Sequence, residues 1–365
     1  MSTQTISPFL SIGQTRLHYR WLRNICQCRE CLDQLTSYQV QQRASSSKPL
    51  TTEQHDEKLI IDWNENPPHR SIYNIPWLLT YASNFQPESL KNPIVVWDKA
   101  RLDSNPVAKF DPNTSSQEIW MKQLLKFGFV ILTNIATEEF EPFVSSLGEL
   151  IHTPGYERIE SVRIDPNHHS KELFRTGASL ALHTDNGYRS YKHRMAQFLY
   201  CAENSVSGGE SLVVDGFCIA KDLCSKYPDY FKILAETPVQ FLRIQHEQEY
   251  FYPPTNPIFE LDKQDNIIGI RFCERNCLPV LPFEQMESFY KAYEILVYEY
   301  LNNPNYQYCF QLKAGDCLVL QNYRVLHGRN AFDFSSGIRE LRAAYIEWDL
   351  FLARYHYRQF SDLKL

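Results

Sequence analysis

The sequence predicts a mainly β protein with helices, a barrel or double-sheet jelly roll over residues 105–365 preceded by a small β-rich module over residues 1–95. Three observations carry this. From residue 180 onward the chain breaks into short apolar runs separated by turn residues, among them HRMAQFLYC, GESLVVDGF, GDCLVLQNYRVLHG and RELRAAYIEWDLF; many short strands of this kind suit a closed or double sheet. Near the N-terminus, LIIDWNENPPHRSIYNIPWLL alternates like strands around two proline-bearing turns. Between the two regions, KNPIVVWDKARLDSNP is punctuated by Asn and Pro and reads as irregular, which places a boundary at residues 91–107.

The elements follow in order. HYRWLRNICQCRECLD brings three cysteines together, and the polar TSYQVQQRASSSKPLTTEQHDEK after it reads as an exposed loop. The first module ends near Tyr81 in a helix-like, aromatic-rich patch. Ser115 or Ser116 caps a helix through SQEIWMKQLLKFG, and Gly128 ends it. FGFVILTNI reads as a strand and TEEFEPFVSSLGEL as an amphipathic helix. Two further helical segments, AKDLCSKYPDYFKILAE and EQMESFYKAYEILVYEYL, interrupt the later strands.

Composition narrows the function. The chain has 365 residues, 43% of them hydrophobic, which suits a soluble globular protein with a sizeable core. A net charge of −6 argues against nucleic acid or an anionic membrane as the main partner, because either favours a basic face. No apolar run approaches the roughly 18 residues of a membrane span. The start, MSTQTISPFLSIG, has no charged leader before an apolar core, so a cytoplasmic protein is expected, with its ten cysteines reduced.

The stretch LALHTDNGYR spends a histidine and a carboxylate in an apolar setting. In a strand, residues two apart share a face, so His183 and Asp185 point together and can offer a metal two ligands. A third donor lies far downstream in CLVLQNYRVLHGRNAF, where a strand ends at His327 and Gly328 turns the chain. Ligands so distant in sequence suit a barrel that gathers them from different strands at one mouth. RELRAAYIEWD alternates so that Arg339, Leu341, Ala343 and Tyr345 share a face, with Arg342 on the opposite one; an inward arginine needs an anion. Two histidines and one carboxylate suit a non-haem iron with open positions. A 2-oxo acid can chelate there while an arginine forks onto its distal carboxylate.

HTD, GGESLVVDGF, the histidine of HGRNAF and the arginine of RELRAAY, in this order, resemble the 2-oxoglutarate dioxygenases of the taurine dioxygenase and γ-butyrobetaine hydroxylase kind. The likeness to γ-butyrobetaine and trimethyllysine hydroxylases runs over nearly the whole chain. It implies a double-stranded β-helix (jelly-roll) catalytic domain and a zinc-binding N-terminal domain. In that domain Cys26, Cys28 and Cys31 would hold zinc with His69 of WNENPPHRSIYNIPWL, and His55 is the other candidate for the fourth ligand. It makes His183, Asp185 and His327 the Fe(II) ligands and Arg339 the clamp on the 5-carboxylate of 2-oxoglutarate. Ser211 of GGES is a second contact, and Asp316 of KAGD is a turn residue.

In the substrate pocket the resemblance implies an aromatic cage for a trimethylammonium group. Tyr345 matches one member, and Arg175 stands at another cage position. A guanidinium there would repel trimethylammonium and favour a substrate with a further anionic group, unless Arg175 is tied up by Glu157 or Glu160. Asn186, Tyr188 and Tyr191 are further lining candidates. The activity implied is hydroxylation of a small zwitterionic or quaternary-ammonium metabolite, with 2-oxoglutarate and O₂ consumed to succinate and CO₂, by a homodimer with no nucleic-acid or membrane partner. The rival reading is a catalytically silent, zinc-bearing barrel that serves as a binding or interaction protein.

Overall fold

The computed structural model describes residues 7–33, 48–82, 94–152, 157–164, 176–189, 194–245, 249–252, 255–274 and 277–360. The chain divides into two compact units, residues 1–92 and residues 93–362.

In the smaller unit, Pro49–His55, Lys58–Trp63 and His69–Asn74 form an antiparallel three-stranded sheet in which Trp63 lies opposite His69. KLIIDW buries Leu59, Ile61 and Trp63, the two-residue period of a sheet covered on one face. Leu22 from the Tyr19–Asn24 helix and Leu78 from the Ile75–Ala82 helix pack into the same cluster. The strand Pro49–His55 corrects the loop expected there. It is an edge strand with mostly exposed side chains, so backbone pairing holds it and no apolar alternation marks it.

The larger unit is mainly β with helices, built as two facing sheets with helices outside each. The first sheet has the order Lys109–Phe110, Phe129–Leu132, Cys317–Gln321, Met195–Asn204, Arg339–Glu347, Glu160–Ile164. The second runs Tyr308–Phe310, Ser211–Asp215, Val325–Arg329, Leu180–His183. Period-2 alternation assigns each side chain to a layer. Along Met195–Asn204, Ala196, Phe198 and Tyr200 face the helices Gln117–Phe127, Phe140–Leu147 and Trp348–Phe360. Leu199 and Cys201 point the other way, towards Val213 and Val325 of the second sheet. Leu182, Val214 and Leu326 carry the outer face of that sheet against the helices Gly216–Lys226, Pro228–Glu236 and Phe283–Glu294. Two such faces pressed together make the jelly roll the sequence predicted.

Several local expectations are corrected. The region expected to be irregular at 91–107 contains the helix Lys99–Ser104, capped by Asp98, whose carboxylate accepts the Arg101 N–H at 2.8 Å. The single helix expected in AKDLCSKYPDYFKILAE is two. Pro228 has no N–H to donate backwards, so the first helix stops at Lys226 and Pro228 starts the next at its first position. The segment EQMESFYKAYEILVYEYL leaves α geometry after Glu294 and finishes as a π-helical stretch, Ile295–Leu301.

At the end of the Gln117–Phe127 helix, Gly128 takes φ +80° and donates its N–H to Leu124 O. A Cβ there would stand 2.7 Å from Val325 Cγ2, so glycine serves both the cap and the close packing against the turn Asn322–Arg324. That turn carries the chain from the first sheet to the second. Arg324 is fully buried within it and forks onto Asp215, Nε to Oδ1 at 3.1 Å and Nη2 to Oδ2 at 2.8 Å. It also donates to Lys126 O and Val95 O, while Asp215 accepts the N–H groups of Trp97 and Phe217. A buried ion pair is tolerable only when its remaining hydrogen-bonding capacity is met in this way.

Removing one partner strands the other charge in the core. Arg324→Met should therefore cost about 3–5 kcal/mol of stability, read from the midpoint of urea unfolding. An unchanged midpoint would show that the two sheets do not need the pair.

Candidate active site

A cavity of about 280 Å³ opens between the two sheets of the larger unit. Its lining brings together His183, Asp185, His327, Arg339, Ser211 and Tyr345, residues from distant parts of the sequence. His183 and His327 are directly cross-strand in the Leu180–His183 and Val325–Arg329 pair, with ring centroids 4.4 Å apart. His183 Nε2 lies 3.4 Å from Asp185 Oδ1, and His327 Nε2 lies 3.8 Å from Asp185 Oδ2. One donor atom from each of the three residues fits within a 4.8 Å span.

Two details differ from the sequence reading. His327 sits in the middle of its strand, and Gly328 does not turn the chain. Pairing slips between His327 and Arg329, and a Cβ on Gly328 would stand 2.7 Å from Leu180 O; the glycine lets the neighbouring backbone bulge towards it. Asp185 is not on the strand either, because Leu180–His183 ends two residues earlier and Asn186 takes φ +57°. Asp185 is aimed by a clamp instead: Asn322 accepts its N–H at 2.7 Å and donates to its carbonyl at 2.8 Å. Arg271 holds the following turn, donating to Gly187 O and Arg189 O and pairing with Glu260 at 2.7 Å.

The electrostatics suit a cation. His183 Nδ1 faces Ala181 O at 2.8 Å; a carbonyl only accepts, so the proton is on Nδ1 and the Nε2 lone pair faces the other donors. Burial, reinforced by the neighbouring His183, pushes the His327 imidazole down to about 3, so it is neutral. Burial alone would raise Asp185, but the two imidazoles and the Tyr345 hydroxyl beside it hold its carboxyl well below the usual range. Two neutral imidazoles and a carboxylate are the donor set of a facial iron site.

Gln197 and Asn322 escaped the sequence reading. Gln197 is completely buried, and its Nε2 donates to Asp185 Oδ2 at 2.5 Å. The signal was present: an amide in the apolar run MAQFLYC is the same anomaly that marked His183.

Arg339 is 3% exposed, and its Nε is buried without a hydrogen-bond partner among the described residues. Burial lowers its guanidinium to about 10. Arg342 points to the other face and pairs with Glu340 at 3.0 Å, as alternation requires. Ser211 is buried on the opposite sheet and lines the same cavity. Tyr345 also lines it, with its hydroxyl donating to Asp185 Oδ2 at 2.7 Å. Asn186 lines the cavity, but Tyr188 does not; its ring packs in the helix-side core and its hydroxyl donates to Asn186 at 2.8 Å. Arg175 and Tyr191 lie outside the described residues. Asp316 accepts the Lys313 N–H at 3.0 Å in the turn before Cys317–Gln321.

In the smaller unit, His69 Nε2 lies 3.4, 3.7 and 3.5 Å from the sulfurs of Cys26, Cys28 and Cys31. A tetrahedral zinc with ordinary bonds sets sulfur and nitrogen about 3.6 Å apart. Arg23 donates to Cys31 Sγ at 3.1 Å and Ser71 to Cys26 Sγ at 3.0 Å, which suits thiolates. Glu30 lies 3.5 Å from His69 Nδ1. His55, the other candidate, is exposed beside Glu53 and takes no part.

Residues 95–345 match the taurine catabolism dioxygenase TauD, TfdA family. The chain belongs to this dioxygenase family. Residues 9–79 match the N-terminal region described as γ-butyrobetaine hydroxylase-like. A γ-butyrobetaine dioxygenase from Pseudomonas sp. is 27% identical over 361 residues, covering 96% of this chain and 90% of that protein. Human mitochondrial trimethyllysine dioxygenase is 25% identical, covering 92% of this chain and 80% of that one. The solved structure of AAD-2 with Mn(II) and N-oxalylglycine shares the fold of the larger unit at a TM-score of 0.50 and 15% identity, over 66% of this chain and 93% of that one. Among the described residues no helix is long and apolar enough to cross a membrane.

In this family member the alignment of the two histidine strands rests on the bare backbone at Gly328. Gly328→Ala should cost about 1–3 kcal/mol, the usual effect of forcing a methyl into packed space, measured by urea unfolding. An unchanged stability would mean that the strands can part there freely.

Proposed function

We propose that this dioxygenase is Fe(II)- and 2-oxoglutarate-dependent and hydroxylates a small zwitterionic or quaternary-ammonium metabolite. One observation carries the reading: the three donors of His183, Asp185 and His327 share a cavity with the buried guanidinium of Arg339, which has no carboxylate against it among the described residues. Iron, when bound, supplies the activation of O₂ coupled to conversion of 2-oxoglutarate to succinate and CO₂. The protein's part is to present two neutral imidazoles and one carboxylate, and to leave the remaining positions to small molecules. Arg339 would take the distal carboxylate of 2-oxoglutarate, with Ser211 as a hydroxyl beside it, and the apolar Leu199, Leu318 and Leu341 would keep water from the reacting atoms. A silent barrel would have no use for this pairing of metal donors with a buried guanidinium, and nothing supports that reading.

The cavity wall also carries Glu157, Glu160 and Glu274 as well as Arg243. Charges of both signs suit a zwitterion. The named substrates of the relatives, γ-butyrobetaine and trimethyllysine, belong to that class. The ring of Tyr345 is the part of that residue left for a cationic group, since its hydroxyl is engaged.

A screen of betaines, amino acids and aminophosphonates for Fe(II)-dependent succinate release tests the reading. At least one class should stimulate release, and His327→Ala should abolish it. Arg339→Met should raise KM for 2-oxoglutarate roughly 10- to 100-fold, the loss of a charge-assisted contact. Succinate release indifferent to iron and to every candidate would sink the reading.

We also propose that Cys26, Cys28, Cys31 and His69 hold a structural zinc. Cys28→Ser should lose the metal and lower the melting temperature, because zinc-binding energy at such a site is folding energy; metal analysis and a melt read both. A homodimer in the cytoplasm is part of the proposal, and light scattering measures the first.

A further inference from the structure

We propose that Gln197 and Tyr345 act together as positioning residues, holding one oxygen of Asp185 so that the carboxylate meets its metal through the other oxygen alone. The inference rests on the reading of His183, Asp185 and His327 as a metal site, and goes beyond it by giving the first sheet a role there. Gln197 and Tyr345 are cross-strand partners in the Met195–Asn204 and Arg339–Glu347 pair. Alternation turns both inward, and both donors reach the same atom, Asp185 Oδ2, at 2.5 and 2.7 Å. A carboxylate oxygen has two lone-pair directions, so Oδ2 is saturated by protein donors while Oδ1, 3.4 Å from His183 Nε2, keeps its own free.

The geometry of Gln197 argues that its N–H groups are the reason for the residue, since Nε2 also lies 3.4 Å from His327 Nε2. A carboxylate only accepts, so the NH₂ must face Asp185, and Gln197 Oε1 is then buried without a partner among the described residues. Leucine would fill a similar volume with no stranded acceptor. The polar side chain is kept in a completely buried position for its N–H groups. Tyr345, expected as a member of a substrate cage, has its hydroxyl on Asp185 instead.

The consequence concerns coordination number. A carboxylate free to rotate can bind a metal through both oxygens and so occupy a position that a chelating 2-oxo acid needs. Two fixed donors on Oδ2, delivered from a sheet that supplies neither histidine, prevent that rotation.

The test uses the full chain with Mn(II) alone as the probe, free Mn(II) being read by electron paramagnetic resonance. 2-Oxoglutarate is then titrated calorimetrically into Mn(II)-loaded protein. Tyr345→Phe, Gln197→Leu and the double variant are compared with wild type, and melts of the metal-free proteins report folding. Each single variant should shift Mn(II) affinity by about tenfold, a common effect of deleting a partner of a metal-binding group. The double variant should also bind 2-oxoglutarate more weakly at saturating Mn(II). If both affinities equal wild type and only substrate KM moves in Tyr345→Phe, the proposal is overturned and the tyrosine belongs to the substrate wall. If Gln197→Leu does not fold, Tyr345→Phe, which removes a single hydroxyl, decides the matter. Wild type that takes up no Mn(II) overturns the metal reading itself, and this proposal with it, before any variant is compared.

Discussion

The turn Asn322–Arg324 is the constraint on which the larger unit depends, because the chain changes sheets there and three otherwise separate requirements meet. Arg324 must find its counter-ion in the core, and does so at Asp215, where the Ser211–Asp215 strand hands over to a helix. Asn322 must satisfy both ends of a buried amide, and does so on the backbone of Asp185. The turn must also lie close to the Gln117–Phe127 helix end, which only a glycine at 128 allows. The same turn therefore fixes the spacing of the sheets, the direction of the carboxylate and the start of the strand that carries His327. A burial of about 25 cal/mol per Å² of apolar surface drives the sheets together, but it is non-directional. The hydrogen-bonded polar groups in the turn supply the register.

How much of this was legible in the sequence follows from the range of each signal. Alternation is local, so it correctly assigned Arg339, Leu341, Ala343 and Tyr345 to one face and Arg342 to the other. The end signals of the Gln117–Phe127 helix are local too: Gly128 closes it as read, while Ser116 stands at the N-terminal cap position without a side-chain bond to the helix. Elements held by distant backbone left no such mark. The edge strand Pro49–His55 has no buried face to betray it, and Gly328 reads as a turn residue until the neighbouring strand is seen lying against it. Asp185 illustrates the difference most clearly. Its association with His183 was inferred from strand geometry, yet what aims it is an asparagine 137 positions away in sequence.

The site divides its labour between the sheets. The second sheet presents the two histidines on adjacent strands, where cross-strand distance alone brings the rings together. The first presents hydrogen-bond donors and a guanidinium, which act on whatever anion or carboxylate is placed before them. Such a division places the groups that must be closest on neighbouring strands with short, fixed spacing. It leaves wall positions that touch neither the histidines nor Asp185 free to vary. Relatives sharing about a quarter of their residues can thus keep one chemistry and differ in what they accept.

Arg339 has a further consequence for the protein as a cellular object. Buried, depressed to about 10 by its surroundings, and without a carboxylate against it among the described residues, its cation destabilises the empty fold. An oxyanion that enters the cavity relieves that penalty and, binding the folded state alone, adds stability that grows with the logarithm of its concentration. Chains whose cavity is empty are then the ones that open most often and meet proteases first. One buried arginine would thus make the resistance of the fold to opening depend on what fills the cavity.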